Sequence, residues 1–98
     1  MDCFCSNYSN DLAFLMFKGL EHWKYENKTI SRTFEFSSYL SGLNFLNKIA
    51  FLAEKLNHHP DMKLTWCKVH VLLTTHDSGD VTDKDIELAK LCDQNFKD

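Results

Sequence analysis

The segment from Lys63 to Thr75 constrains the fold more than any other part of this chain. Apolar side chains alternate with other residues along much of it, and this period of two predicts a β-strand with one buried face. His59 and His76 flank the segment, and a straight strand joining them would span about 55 Å at ~3.3 Å per residue. A chain of 98 residues folds to a radius of gyration of only about 13 Å. The segment must therefore fold back on itself.

The simplest way to fold back is a hairpin with a two-residue turn at Cys67-Lys68. That turn would place Leu64 opposite Val71 and His59 opposite His76. Cys-Lys is an unusual pair for a tight hairpin turn, in which Asn-Gly types dominate. A sharply bent strand, or a site shared between two subunits, is therefore the alternative.

Three further segments have the apolar spacing of helices. They run from Asn10 to Leu20, from Tyr39 to Leu56 after a capping serine at position 37 or 38, and from the N-cap Thr82 to about Phe96. The long middle helix carries two neighbouring apolar stripes, which is more than one sheet needs to cover it. This width favours an oligomer, and burial between two parts of the same chain is the alternative.

The remaining patterns predict a second hairpin and the overall architecture. His22 to Phe36 is rich in β-formers and is interrupted at Asn27-Lys28, which predicts a β-hairpin, while Asp77-Ser78-Gly79-Asp80 predicts a turn. We expect one domain over residues 1–98, with residues 1–9 as a mobile N-terminus. The predicted fold is two-layer α+β: an antiparallel sheet of about four strands in two hairpins, with three helices on one face, in the order α-β-β-α-β-β-α.

Composition and charge argue against several classes of protein. The net charge is −3 and the basic residues are scattered, so the chain lacks a stripe of Lys and Arg that would neutralise nucleic-acid phosphates. No run reaches the roughly 20 apolar residues of a membrane helix. Asp2 stands where a signal peptide would have a basic region, so we expect a cytoplasmic protein without membrane contact. The four cysteines have no CxxC or metal-site spacing and are expected to be reduced thiols.

Three of the five histidines, His58, His59 and His76, flank the strand region. Imidazole titrates near neutral pH and can donate or accept a proton, so such a group suits acid–base catalysis. Pro60 biases His59 toward an extended backbone, in which adjacent side chains point opposite ways, so His58 and His59 are expected to do different jobs. A zinc site is the competing interpretation. It ranks lower because HExxH is absent and adjacent histidines rarely converge on one ion.

Each candidate residue also has a purely structural interpretation. A His-His pair at a helix end can simply interact with the helix dipole. Asp85 can be only a capping-box partner of Thr82, and Glu54 can be a solvated charge. Trp66 as a residue type is more often found in a core than in a ligand site. Only the combination of these residues indicates a function.

Several motifs stand at fixed offsets along the chain. An acidic residue lies four positions before His-His-Pro, an aromatic six after the proline, a histidine ten after that, and an aspartate nine later. The motifs are Glu54-Lys55-Leu56-Asn57-His58-His59-Pro60, Trp66, Lys68-Val69-His70-Val71, Thr74-Thr75-His76 and Thr82-Asp83-Lys84-Asp85-Ile86. Together, over Gly19 to Ala89, they resemble the signature of the pterin-4a-carbinolamine dehydratase family. Asn57 stands where many members have Asp, and Met62 where an aromatic is common; neither departure removes a proton-transfer group.

The resemblance implies a reaction and a set of site residues. The reaction is the dehydration of 4a-hydroxytetrahydrobiopterin to quinonoid dihydrobiopterin and water, in tetrahydrobiopterin recycling, with no metal or organic cofactor. An acid must protonate the departing C4a hydroxyl, and a base must remove a proton from the ring nitrogen side. With the expected hairpin register, the resemblance assigns His59 and His76 as the acid–base pair and His58 as a binding or assisting residue. The expected substrate-binding residues are Glu54, Pro60, Trp66, Thr75, Asp77, Ser78 and Asp85.

The resemblance also implies partners. We expect a small-molecule pterin as ligand, no direct nucleic-acid contact, and a homo-oligomer, either a dimer or a homotetramer. Some family members double as dimerisation cofactors of a homeodomain transcription factor through the long helix. A scaffold role of that kind is the alternative function here, and the intact histidine set favours the enzyme.

Overall fold

The structure, a computed structural model, describes residues 19–96 and contains four strands and two helices in that range. We label them, in chain order, β1 (Lys24–Glu26), β2 (Thr29–Glu35), α1 (Tyr39–Leu56), β3 (Asp61–Thr65), β4 (Lys68–Leu73) and α2 (Asp83–Asn95). The order over the described residues is thus β-β-α-β-β-α, with two helices in place of the three predicted.

The first predicted helix, Asn10 to Leu20, lies outside the described residues except for its last two positions. The segment 1–9, expected to be a mobile N-terminus, also lies outside them. Gly19 and Leu20 are not helical. Gly19 has φ of 86°, a left-handed backbone conformation that a right-handed helix does not allow.

The four strands form one antiparallel sheet in the order β1-β2-β4-β3. Alternate side chains of β2 and β4 are almost completely buried, and those between them are more exposed; the buried set is Ile30, Phe34, Val69, Val71 and Leu73. Residues of both helices belong to the same core, so the helices pack on one face of the sheet. The predicted two-layer α+β architecture with a four-stranded antiparallel sheet is therefore confirmed for this part of the chain.

Helix α1 is shaped by its cap and its apolar spacing. Ser38 is the N-cap, and its side chain accepts a hydrogen bond of 3.1 Å from the Ser41 N–H. The buried positions recur every three or four residues, at Gly42, Phe45, Ile49 and Ala53. At Gly42 the helix approaches the sheet so closely that a Cβ would lie 3.2 Å from Leu64 Cδ1. Neither helix of the described residues is long and apolar enough to cross a membrane.

The first hairpin turns at Asn27-Lys28, as predicted. Both residues have positive φ, 56° and 61°, and Glu26 pairs with Thr29 across them. Two consecutive left-handed residues form a type I′ turn, whose twist matches that of the strands it joins. The asparagine tolerates this conformation well, because its short polar side chain makes the left-handed region accessible.

The second hairpin exists, but the predicted turn at Cys67-Lys68 is wrong. The turn lies at Trp66-Cys67, and Leu64 pairs with Val69 rather than with Val71. Lys68 is already paired with β2, and Cys67, with φ of 64°, accepts a backbone hydrogen bond of 2.8 Å from the Phe36 N–H. The two registers differ by two residues, so both place the same side chains on the buried face and the apolar pattern cannot distinguish them.

The corrected register changes the position of the histidines. The last β3–β4 pair is Asp61 with Leu72, so the same register carried outward brings His59 level with Thr74. The predicted opposition of His59 and His76 is therefore wrong, although both residues lie beyond the same end of this hairpin.

The end of α2 is attached to the sheet by a largely buried polar cluster. Asp93 accepts hydrogen bonds from Trp23 Nε1, at 3.0 and 3.1 Å to its two oxygens, and pairs with Arg32 at 2.7 Å. The Arg32 guanidinium also lies 4.3 Å from the centre of the Phe34 ring. The neighbouring Cys92 is fully buried, and this burial, helped by the Asp93 charge, raises its pKa from 9.0 to about 12.

Candidate active site

The His-His-Pro motif begins at the left-handed end of α1. Asn57 has φ of 53° and ψ of 40°; its N–H donates to the Glu54 carbonyl and the His58 N–H donates to the Ala53 carbonyl, both at 3.1 Å. This pair of hydrogen bonds is a Schellman motif, in which asparagine is the common substitute for glycine. The motif ends the helix abruptly and directs His58 and His59 away from its axis.

His58 is held by a buried carboxylate. Its Nε2 lies 2.5 Å from Asp85 Oδ1, and the side chain of Asp85 is 0% exposed against 11% for His58. The other Asp85 oxygen, Oδ2, accepts hydrogen bonds from the Thr75 hydroxyl at 2.7 Å and from the Thr82 N–H at 2.9 Å. Hydrogen bonds to both oxygens thus satisfy the buried side chain of Asp85.

This arrangement selects the state of the His58 ring. An ionised Asp85 can only accept, and in that state His58 Nε2 carries the hydrogen of their shared bond. Nδ1 is then the nitrogen through which neutral His58 accepts a proton. A carboxylate partner of this kind fixes the tautomer and the orientation of an imidazole.

His59 lies in a different environment. Its Nε2 is 3.2 Å from Glu54 Oε2, and the side chains are 55% and 76% exposed. A polar contact this exposed contributes little to stability and holds the ring only loosely. The two adjacent histidines thus contact different carboxylates, in line with the opposite directions expected for their side chains. Pro60 follows, half-buried, and leads into β3.

His76 lies in a tight turn that Thr75 and Asp80 close. The Thr75 N–H donates to the Asp80 carbonyl at 3.1 Å, while the Thr75 carbonyl accepts from the N–H groups of Ser78 and Gly79 at 3.1 and 2.8 Å. Gly79 has φ of 71°, which suits glycine. His76, Asp77 and Ser78 are all exposed. The predicted turn over positions 77–80 is present, and it displays the third histidine at the surface.

Hydrogen bonds join three chain segments into one cluster. Asp85 from α2 bonds His58 after α1 and Thr75 after β4, and His76 is the next residue along the chain. Glu54 reaches this region through His59. The structure therefore gathers most of the predicted site residues at one end of the β3–β4 hairpin.

Trp66 is the exception. It lies at the hairpin turn, at the opposite end of β3 from Pro60, and is 79% exposed. The six residue steps from Pro60 to Trp66, across β3, span about 20 Å at ~3.3 Å per residue. One chain does not bring Trp66 to the histidines, because the observed turn leaves its side chain at the far tip of the hairpin.

Thr82 takes part in the cluster beyond its predicted role as N-cap. Its hydroxyl lies 2.6 Å from the Thr75 hydroxyl, in addition to its N–H bond with Asp85. The capping-box spacing of Thr82 and Asp85 indicated the bond from the Thr82 N–H, whereas no sequence signal indicated the contact between the two hydroxyls.

Among residues 19–96, no group of three or more His, Cys, Asp or Glu side chains is arranged to hold a metal ion.

Sequence comparison shows that this chain is similar to known proteins. The chain matches the family model described as “Pterin 4 alpha carbinolamine dehydratase” over residues 8–95. A protein of Natronomonas pharaonis named “Putative pterin-4-alpha-carbinolamine dehydratase” is 49% identical over 72 residues, which are 74% of this chain and 78% of that protein. A protein of the same name from Sulfurisphaera tokodaii is 44% identical over 75 residues, 76% of this chain and 81% of that protein.

Two solved structures are similar to this chain. One, described as a transcriptional coactivator/pterin dehydratase from Brucella melitensis, is 28% identical, has a TM-score of 0.80, and is matched over 88% of this chain and 95% of its own. The other, a pterin dehydratase-like protein described as a RuBisCO assembly factor in the alpha-carboxysome, is 20% identical, with a TM-score of 0.62 over 74% of this chain and 84% of its own. The second likeness shows the fold alone.

Proposed function

We propose that this chain, which belongs to the pterin-4-alpha-carbinolamine dehydratase family, converts 4a-hydroxytetrahydrobiopterin to quinonoid dihydrobiopterin and water by histidine acid–base catalysis. The observation that carries the proposal is the Asp85-oriented His58, with His59 beside it and His76 next to Thr75 of the same cluster. Three imidazoles at one end of a hairpin supply both a proton donor and a proton acceptor.

The reaction needs two proton transfers. One histidine protonates the C4a hydroxyl, the C4a–O bond breaks, and the hydroxyl leaves as water. A second histidine removes a proton from the ring nitrogen side, so that the nitrogen lone pair forms the new C=N bond. Each transfer by a positioned side chain contributes about 10²- to 10⁴-fold to the rate.

We assign the two transfers to His59 and His76, whose side chains are exposed and can meet a substrate. His58 is the binding or assisting residue, since Asp85 occupies its Nε2 and leaves Nδ1 for the ligand. Glu54 and Asp85 orient histidines, and the remaining predicted pterin contacts in this region are Pro60, Thr75, Asp77 and Ser78. Trp66 would reach the pterin only from a second copy of the chain.

Single histidine variants test this assignment. We expect His59→Ala and His76→Ala each to lower kcat for dehydration by about 10²-fold or more. Lys24→Ala, a surface variant on β1, is the matched control and should keep wild-type activity. Near-full activity in both histidine variants would show that the assignment is wrong.

The exposed face of α1 supports a second candidate function, a dimerisation cofactor or scaffold. Leu40, Phe51 and Tyr39 are 66%, 63% and 47% exposed, and apolar groups this exposed indicate a surface that a partner covers. The Brucella melitensis protein is described as both a coactivator and a dehydratase. We propose that this face forms the interface of a homodimer or homotetramer before it binds any other partner. The proposed location is the cytoplasm, where Cys67 and Cys92 remain free thiols.

Light scattering tests the role of this face. Leu40→Ser with Phe51→Ser should lower the oligomeric state of the purified protein, while Lys48→Ser, an exposed polar position on the same helix, should leave it unchanged. A double variant with the wild-type mass in solution would contradict the proposed interface.

A further inference from the structure

The turn that displays His76 is tied to the first hairpin at two points. The Tyr25 hydroxyl of β1 donates to Asp80 Oδ1 at 2.8 Å, across 55 residues of sequence. The Thr74 hydroxyl donates to the Lys28 carbonyl, in the turn between β1 and β2, at 2.9 Å. These two contacts connect the first hairpin to the segment around His76.

Asp80 is the residue on which the turn closes. Its Oδ1 accepts a second hydrogen bond, from the Val81 N–H at 2.7 Å, and its carbonyl accepts the Thr75 N–H. The backbone carbonyl of Asp80 thus holds Thr75 at the start of the turn, and its side chain binds Tyr25 of the first hairpin. Tyr25 is a firm anchor for it, because its half-buried ring packs against the hydrophobic core.

The two ends of the turn are therefore fixed from different sides. Thr75, just before His76, donates its hydroxyl to the buried Asp85, while Asp80, just after the exposed residues, is held by Tyr25. Residues 76–79 between these anchors are exposed, so the anchors determine where the His76 backbone lies. Groups that act in catalysis must be held within about 0.5 Å of their productive geometry.

We propose that Tyr25 and Asp80 are positioning residues for His76, holding its turn at the place from which the imidazole reaches the substrate. This inference rests on the proposed dehydratase function for its effect on the rate. The hydroxyl–carboxylate contact itself is independent of that function. The proposal predicts that Tyr25 affects the rate through the position of His76 and not through contact with the substrate.

Tyr25→Phe is the direct test, because it removes only the hydroxyl and keeps the ring in the core. In a stopped-flow dehydration assay we expect kcat to fall about tenfold with KM little changed, since a displacement of about 1 Å at a catalytic group costs up to 10²-fold. Asp80→Ala should have a similar effect. Asp80→Asn should restore kcat to near the wild-type value, because the asparagine Oδ1 accepts the same two hydrogen bonds.

Thr29→Val is the matched control. It also removes one hydroxyl from the first hairpin, where Thr29 donates to the Glu26 carbonyl at 2.7 Å, but it does not touch the His76 turn. Its kcat should equal that of the wild type. A loss of activity as large as that of Tyr25→Phe would show that any weakening of the hairpin lowers the rate, and would overturn the proposal.

Repeating Tyr25→Phe in a His76→Ala background separates positioning from a general structural role. If Tyr25 acts through His76, the tenfold effect disappears in this background. An effect of the same size in both backgrounds, or no effect in the wild-type background, overturns the inference.

Amide hydrogen exchange provides a readout that does not depend on activity. The Thr75 and Gly79 N–H groups close the turn, so Tyr25→Phe should accelerate their exchange about tenfold or more, while Thr29→Val should not. If the wild type is inactive but Tyr25→Phe still accelerates the exchange, the dehydratase function is refuted and the anchoring role of Tyr25 stands. Unchanged exchange in Tyr25→Phe would refute the anchor whatever the activity.

Discussion

Replacing Asp85 should separate its structural role from its role in orienting His58. The carboxyl group is 0% exposed and makes three hydrogen bonds, with His58, Thr75 and Thr82. A hydrogen bond to a charged group contributes about 1.5–3 kcal/mol, and such contributions are not additive. Asp85→Ala, which leaves three donors without their acceptor, should therefore lower the free energy of unfolding by about 3–5 kcal/mol.

That loss is a large fraction of the stability of a small domain, about 5–15 kcal/mol, so Asp85→Asn is the more informative variant. The amide has the same shape, and its oxygen can face the Thr75 hydroxyl and the Thr82 N–H. Its NH₂ group then faces His58 and must donate, so Nε2 of the imidazole has to give up its hydrogen. We expect a stability loss of about 1–2 kcal/mol with the opposite His58 tautomer.

Three measurements on Asp85→Asn check this reasoning. Urea unfolding reports the stability, ¹⁵N chemical shifts of the His58 ring report the tautomer, and stopped-flow kinetics report kcat, which we expect to fall about 10²-fold. Thr82→Ser, which keeps both the N–H and a hydroxyl at that position, is the control. A wild-type tautomer and a wild-type kcat in Asp85→Asn would refute the orienting role of the carboxylate.

Three further predictions concern stability. Burial raises the pKa of Cys92 from 9.0 to about 12. Above pH 9 the thiol therefore loses its proton in the unfolded chain before it does so in the folded one. The free energy of unfolding should then fall as pH rises, by up to about 1.4 kcal/mol per pH unit. Urea titrations from pH 8 to 10 should show a smaller decrease in Cys92→Ala, and equal slopes would contradict the prediction. Asp93→Ala removes the partner of Arg32 and should cost about 3 kcal/mol in urea unfolding, whereas Lys24→Ala, which breaks an exposed pair, should leave stability unchanged. Asn57→Gly should be neutral and Asn57→Ala should cost about 1 kcal/mol, because φ is 53° there; equal melting temperatures would contradict this.

Local chemistry explains which parts of the fold could be predicted from sequence. Asn27-Lys28, Ser38 and the Thr82–Asp85 capping pair act within a few residues of themselves, and the structure places a turn, an N-cap and a helix start there. The register of the β3–β4 hairpin depends instead on the pairing of β4 with β2. The apolar alternation is the same for the predicted and observed registers, so the sequence pattern contained no information with which to choose.

The site shows the same division between local and long-range information. Fixed spacings identified Asp85 as part of the site, but they did not indicate which histidine it would hold. That choice depends on where α2 packs against the end of α1, which is set by the shared core. The contact between Tyr25 and Asp80 joins residues far apart in the chain. The sequence identified Asp80 only as part of a turn and did not single out Tyr25.

The most direct test of the account is a stopped-flow dehydration assay of the wild-type protein with synthetic 4a-hydroxytetrahydropterin, after its metal content has been measured. The account predicts that metal-free protein accelerates the loss of water by at least about 10²-fold over the uncatalysed reaction. A metal-free wild type that is folded but does not accelerate the reaction would contradict the proposal that these histidines form a dehydratase active site.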